Sequence, residues 1–194
     1  MFDYFSKEKS DFLKKKDKSK KGCVDKDVKE IVDEINSKKD YYTTSSCSGR
    51  IVLLEMKSRK KNECSWIFSK HNKIKYNELL NALKNYNKNK KIKNQIWFKQ
   101  QPLILHVACR NLEAAKKFLE ISRKIFRRAG IIGVTDRKVT IEIIGDERLE
   151  TIIADKDFVA DESYIQKLVK YANENFAENK GKSDRFLKIL RSNL

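Results

Sequence analysis

Between Tyr41 and Ile51 the chain reads YYTTSSCSGRI, with five hydroxyl or thiol side chains in succession, Thr44 to Ser48, ahead of Gly49 and Arg50. Small polar groups closed by a glycine let a backbone come close to a ligand. Their hydroxyls and amides can hold an anion or the polar edge of a base, and Arg50 adds a planar fork suited to phosphate or carboxylate. The same run also suits a polar turn between two strands, and the residues alone leave both readings open. Cys47 is not a phosphatase-type nucleophile, because only Ser48 and Gly49 separate it from Arg50 and the loop is too short to cradle a phosphate. It reads as a small structural thiol.

A second candidate lies in LILHVACR, residues 103–110. A histidine inside an apolar strand is costly unless it is bonded. His106 is therefore either a satisfied core imidazole or a proton acceptor at a pocket wall. Trp66 and His71, in WIFSKH, can line a pocket in the same way, with the core as the plainer place for Trp66. The basic turn DKSKKGCVD at 17–25 carries two carboxylates. For Asp25, capping the helix that follows is the simpler reading.

Other chemistries are excluded by what is missing. Cysteines at 23, 47, 64 and 109 form no CxxC pair, and there are two histidines, so no metal site is expected. No GxGxxG or GxxxxGK[ST] occurs, which leaves neither a Rossmann cofactor loop nor a phosphate-binding loop.

Charge points to a partner. Lysine and arginine number 44 against 27 acidic residues, a formal net charge of +17. From Lys57 to Lys99 there are 13 basic residues and 2 acidic ones. A cationic patch of this kind suits a polyanion, since each neutralised phosphate releases counterions; a biased base composition is the competing explanation. No apolar run reaches the ~20 residues a membrane helix needs. Met1–Lys21 lacks an apolar signal core, so the cytoplasm is the expected compartment and no membrane is expected as partner.

The elements that must position these groups follow from periodicity. Phe2–Leu13 reads as a weak helix. Val24, Val28, Ile31, Val32 and Ile35 recur at helical spacing. Strands are expected at 41–45, 50–56 and 65–69, then a helix capped by Asn77, then a loop at 85–94. Strands at 95–98 and 103–108 precede a helix capped by Asn111. Strands at 131–135, 139–144 and 149–153 follow, and Asp161 caps a last helix. Gly130, Gly133 and Gly145 are expected at turns. Helix, three strands, helix thus appears twice, which suggests an α+β chain with an internal duplication sharing one sheet. The expected organisation is a basic N-terminal segment at 1–16, a single catalytic domain at 17–180 and a basic helical tail at 181–194.

Read together, DKSKKGCVD, YYTTSSCSGRI, WIFSKH and QPLILHVACRNLEAA (101–115) resemble the tRNA wybutosine-synthesising protein three family. FRRAGII at 126–132 and the later VTIEII and LETII segments continue the match over nearly the whole chain. Cys23 departs from it, where Ser or Thr is expected. The resemblance implies a mixed, largely antiparallel barrel-like sheet with flanking helices, unlike the Rossmann methyltransferases. It implies an S-adenosylmethionine-dependent methyltransferase acting on the N-4 ring nitrogen of a tricyclic guanine derivative beside the anticodon of phenylalanine tRNA, in wyosine or wybutosine biosynthesis. A monomer is expected.

On that footing, His106 is the first choice as base and Asp25 the second. Ser45, Ser46, Ser48 and Gly49, with Cys47 and Ser19 beside them, are expected to hold the base edge or the cofactor's amino-acid end. Arg50 pairs with a carboxylate or phosphate, Trp66 or Tyr42 stacks on the tricycle, and His71 lines the pocket. Lys57, Arg59, Lys60, Lys61, Lys73, Lys75, Lys90 and Lys91 are expected to grip tRNA phosphates. The alternative is a non-catalytic tRNA-binding module of the same pathway.

Overall fold

Val28, Ile31, Val32 and Ile35 fall on one side of a helix, and all four are buried. The computed structural model describes residues 3–14, 24–57 and 64–194. The element order is α1 (Tyr4–Lys14), α2 (Lys26–Ser37), β1 (Tyr41–Cys47), β2 (Arg50–Met56), β3 (Cys64–Lys70), α3 (Tyr76–Lys90), β4 (Gln95–Gln101), β5 (Ile104–Cys109), α4 (Leu112–Arg123), β6 (Arg128–Val134), β7 (Val139–Ile144), β8 (Leu149–Ala154) and α5 (Glu162–Asn193). No helix among the described residues is long and apolar enough to cross a membrane.

The chain forms two compact units, one of 1–48, 103–146 and 179–194, the other of 49–102 and 147–178. The first holds a four-stranded antiparallel sheet in the order β1-β5-β7-β6. One face, with Tyr41, Leu105, Val107, Ile141 and Ile143, packs on α2, α4 and the end of α5. Phe186 of α5 meets Phe118 and Phe126 edge-on, at 6.3 and 5.3 Å between ring centroids. Burial pushes the Cys109 thiol in this core up to about 12, so it stays protonated and inert.

The opposite face is partly covered by α1. Phe5 and Phe12 pack around the ring of Tyr42, 5.4 and 5.5 Å away, beside Ala108. At the rim, Arg110 bonds Asp3 at 2.7 Å and Asp40 at 2.5 Å, while Lys138 bonds Glu8 and the Tyr42 hydroxyl.

The second unit holds another antiparallel sheet, in the order β3-β2-β4-β8. Ile51, Leu53, Ile96, Phe98 and Ile153 pack against Leu79 and Leu83 of α3 and against Ile165, Leu168 and Phe176 of α5. Asn173 anchors the entry to α3 by bonding both the amide and the carbonyl of Ile74, at 3.0 and 2.9 Å.

The α+β class and the antiparallel sheets agree with the sequence reading. The barrel does not: the strands form two open sheets. The repeat survives in element order but not in pairing. In the first half the adjacent strands are β2 and β3, whereas in the second they are β6 and β7, so the two halves are not copies of one pairing pattern.

Local differences have local causes. Glu78 bonds the backbone amide of Lys75 at 2.7 Å, which puts the N-cap of α3 at Lys75, two residues before Asn77. The same helix absorbs much of the expected Asn/Lys loop and ends at Lys90. Gly130 and Gly133 lie inside β6 rather than at turns. Phe5 in α1, and Phe186 and Leu190 near the C-terminus, are buried, so both basic ends contribute to the cores of the first unit.

The docking of α1 sets a pH dependence. The Lys138 ammonium holds the Glu8 carboxyl below its ordinary value against the opposing effect of burial, and Arg110 does the same for Asp3. A lowered folded pKa stabilises above the unfolded value, about 4.3 for Glu, and that stabilisation is lost as pH falls through the folded pKa. Amide protection factors across α1 should therefore fall on acidification below about pH 4, and Glu8→Gln should flatten the change. Unchanged protection in the wild type down to full protonation would contradict this anchoring.

Candidate functional site

Alternation along β1 is broken once. Thr43 pairs with Val107 and Ser45 with His106, so Thr44 is an extra residue in the strand. Its hydroxyl donates to the His106 carbonyl at 3.3 Å. The bulge turns Ser45 onto the face that carries His106. Ser45 Oγ lies 3.0 Å from His106 Nδ1, and His106 Nε2 lies 2.9 Å from Glu142 Oε2. The next register step joins Glu142 to Gly130 of β6. A hydroxyl, an imidazole, a carboxylate and a bare glycine thus form one row across four strands. A side chain built at Gly130 would meet nothing within 4 Å, so the row is open at that end.

His106 is not buried on both sides. Its side chain is 29% exposed and that of Glu142 31%, because α1 packs around Tyr42 and Ala108 and leaves this part of the face uncovered. Cys47, two residues past Ser45, pairs with Ile104 and is half-buried, and Ser46 pairs with Leu105. The polar run is therefore strand up to Cys47 rather than a hairpin turn, and β1 and β2 lie in different sheets.

The end of that strand is fixed by buried polar bonds. Asp25 Oδ2 accepts from the Ser48 amide at 3.1 Å and from the Ser48 hydroxyl at 3.2 Å. Asn179 donates to the Ser48 carbonyl and accepts from the Leu103 amide, both at 3.0 Å. Asp25, Ser48 and Asn179 are all buried. Asp25 stands at the N-cap position of α2, yet its carboxylate makes no cap bond; it holds Ser48 instead. Gly49 follows with φ 100°, a left-handed conformation that a side chain would strain.

In the second unit, Arg50 Nε donates to Gln101 Oε1 at 2.6 Å, and its guanidinium sits 4.6 Å from the centroid of the Trp66 ring. Its two terminal nitrogens make no hydrogen bond among the described residues. Trp66 is 46% exposed, whereas Tyr42 is wholly buried under α1 and offers no stacking surface. Trp66 also lines a cleft of about 350 Å³ with Asn85, Tyr86, Asn89 and Lys90. Burial and a bond to Glu55 push the Tyr86 hydroxyl up to about 12. His71 is half-buried just after β3.

Lys57, Lys73, Lys75, Lys90 and Lys91 are all exposed on the second unit, with Lys88 and Lys93 beside them in sequence. They make no ion pair among the described residues, whereas Lys70, Lys84 and Lys99 are paired with Glu78, Glu162 and Glu150. Ser19, Arg59, Lys60 and Lys61 lie outside the described residues.

Two residues escaped the sequence reading. Asn179 interrupts the apolar stripe Ala172, Phe176, Phe186, Leu190 of α5, and a polar residue on such a stripe is the available signal. Glu142 breaks the apolar run VTIEII, where period-two alternation sets it apart from Ile141 and Ile143.

A sequence profile described as Methyltransferase TYW3 matches residues 7–192. The chain belongs to that methyltransferase family. It is 34% identical to the tRNA(Phe) 7-((3-amino-3-carboxypropyl)-4-demethylwyosine(37)-N(4))-methyltransferase of Archaeoglobus fulgidus, over 99% of this chain and 94% of the relative. It is equally 34% identical to the tRNA wybutosine-synthesizing protein 3 homolog of Danio rerio, over 99% of this chain and 76% of the relative. The solved structure of the PH1069 protein from Pyrococcus horikoshii OT3 superposes with a TM-score of 0.83 at 28% identity, covering 98% of this chain and 95% of that one. The TYW3 methyltransferase family match and the missing Rossmann loop are consistent with the two antiparallel sheets of this fold.

The Asp25 network makes a separable prediction. Asp25→Ala should lower unfolding stability by about 1–3 kcal/mol, the cost of stranding buried donors, and Asp25→Asn should recover part of it. Denaturant titration checks this; an Asp25→Ala variant as stable as the wild type would remove the network from the fold's supports.

Proposed function

We propose that the protein transfers a methyl group from S-adenosylmethionine to the N-4 ring nitrogen of a tricyclic demethylwyosine-type base beside the anticodon of phenylalanine tRNA. The observation that carries this reading is the match to archaeal relatives bearing that activity in their names, over 79–99% of this chain. The exposed lysines of the second unit support a tRNA partner, and the Ser45–His106 contact supports a proton-removing step.

The acceptor nitrogen carries a proton that must leave as the new N–C bond forms. His106 is the group placed to take it, with the Ser45 hydroxyl against its Nδ1. Arg50 has fork nitrogens that make no hydrogen bond among the described residues and suit a carboxylate, and the exposed Trp66 ring beside it offers a stacking plane. These groups suit the carboxylate and flat heterocycle of a nucleoside-type methyl donor or of the modified base. S-adenosylmethionine, when bound, supplies an electrophilic methyl on a sulfonium. Ser46, Cys47, Ser48 and Gly49 shape the strand end next to Ser45, with Asp25 holding Ser48 in place. Lys57, Lys73, Lys75, Lys90 and Lys91 bind phosphates without reading sequence. The cleft with Trp66, Tyr86 and Lys90 suits an unstacked nucleotide.

Labelled S-adenosylmethionine with hypomodified phenylalanine tRNA tests the reaction. Label should enter the tricyclic base, and Arg50→Ala should lose it at a stability cost of only about 1 kcal/mol. A wild type that binds the tRNA yet transfers no label would leave a non-catalytic binding module.

Charge neutralisation gives an independent test. Replacing Lys73, Lys75, Lys90 and Lys91 singly with Ala should weaken tRNA binding and lower the log–log salt slope by about one each. An unaltered slope would assign this charge to composition.

A further inference from the structure

We propose that Glu142 is a positioning residue for methyl transfer: it holds His106 as the Nε2–H tautomer, so that Nδ1, through the Ser45 hydroxyl, receives the proton leaving the acceptor nitrogen. This rests on the methyl-transfer reading above.

The argument starts from the register. Ser45, His106 and Glu142 occupy one row on three neighbouring strands, so the backbone ladder and not a flexible loop sets their spacing. The two ring nitrogens face different chemistry. An ionised carboxylate only accepts hydrogen bonds, so at 2.9 Å from Glu142 Oε2 the Nε2 atom must carry the hydrogen. In the neutral ring Nδ1 is then a lone pair, and at 3.0 Å the Ser45 hydroxyl is the donor to it. The serine oxygen is in turn left to accept from a third group. On the exposed face of the sheet that group is the N–H of a docked base.

The step balances. The acceptor nitrogen gives its proton to Ser45 Oγ as its lone pair takes the methyl group, and the methyl–sulfur bonding pair stays on sulfur as a neutral thioether. Ser45 passes its own proton to Nδ1. His106 becomes the imidazolium, held at Nε2 by the Glu142 carboxylate, and later releases the proton to water. With the opposite tautomer Nδ1 would carry a hydrogen toward Ser45 and the relay could not accept. A carboxylate that fixes an imidazole tautomer in this way governs turnover rather than substrate affinity. Gly130 keeps the row free of a further side chain beside Glu142.

The chain has two histidines, His71 and His106, so their ring nitrogens can be read individually by long-range proton–nitrogen NMR, with His71→Gln to assign them. At a pH where the ring is neutral, wild-type His106 should have a protonated Nε2 and a bare Nδ1. Glu142→Gln, whose amide can donate to Nε2, should shift the ring toward the Nδ1–H form and lower kcat by about 10²-fold or more, with KM for tRNA little changed. Glu142→Asp should keep the Nε2–H form. A wild type that methylates tRNA with His106 in the Nδ1–H form overturns the proposal alone, as does a Glu142→Gln protein with unchanged tautomer and kcat. A wild type that transfers no methyl overturns the methyl-transfer reading and this proposal with it.

Discussion

The pairing of β1 with β5 is the constraint on which the site depends. One unmatched residue, Thr44, decides which side chain stands beside His106. In an unbroken ladder Thr44 would face the imidazole and Ser45 would turn to the core face. With the bulge, the serine joins His106 and Glu142 on the face that α1 leaves uncovered. The core side of the same strands, with Leu105, Val107, Ile141 and Ile143, makes a register slip expensive, because it would expose the whole apolar set. Hydrophobic burial on one face thereby fixes polar chemistry on the other.

Beyond Cys47 the chain leaves the sheet through a segment that has no ladder to hold it. Asp25 and Asn179 take over there, satisfying the amide, hydroxyl and carbonyl of Ser48. Buried polar groups are stable only when paired, so this small network is both anchor and liability. It lets the hydroxyl-rich stretch end at a fixed place before the left-handed Gly49. In the second unit the same economy recurs at Gln100, which donates to the Glu147 carbonyl and accepts from Asn175. Among the described residues, Lys70, Lys84 and Lys99 of that unit are tied into ion pairs, while Lys73, Lys75, Lys90 and Lys91 make none.

Much of this was legible in the sequence. Helical spacing located α2, α4 and α5, and the apolar run around His106 located β5. The hydroxyl-rich stretch and His106 were singled out separately, and they meet. What was not legible has physical reasons. A bulge has no residue signature in TTSSC, so the pairing of Ser45 with His106 came from tertiary register. Asp25 looked like a helix cap because local sequence cannot reveal a partner 23 residues away. Glu142 and Asn179 sit in apolar patterns whose polar breaks look like noise until strands or helices are packed. The split into two sheets was hidden because the element order repeats while the pairing does not.

A crystal structure with S-adenosylhomocysteine and a hypomodified anticodon stem-loop would test the central claim most directly. The account predicts the acceptor ring nitrogen within hydrogen-bonding distance of Ser45 Oγ, over the row that runs to His106 and Glu142. A base bound elsewhere, with that row facing only solvent, would contradict it.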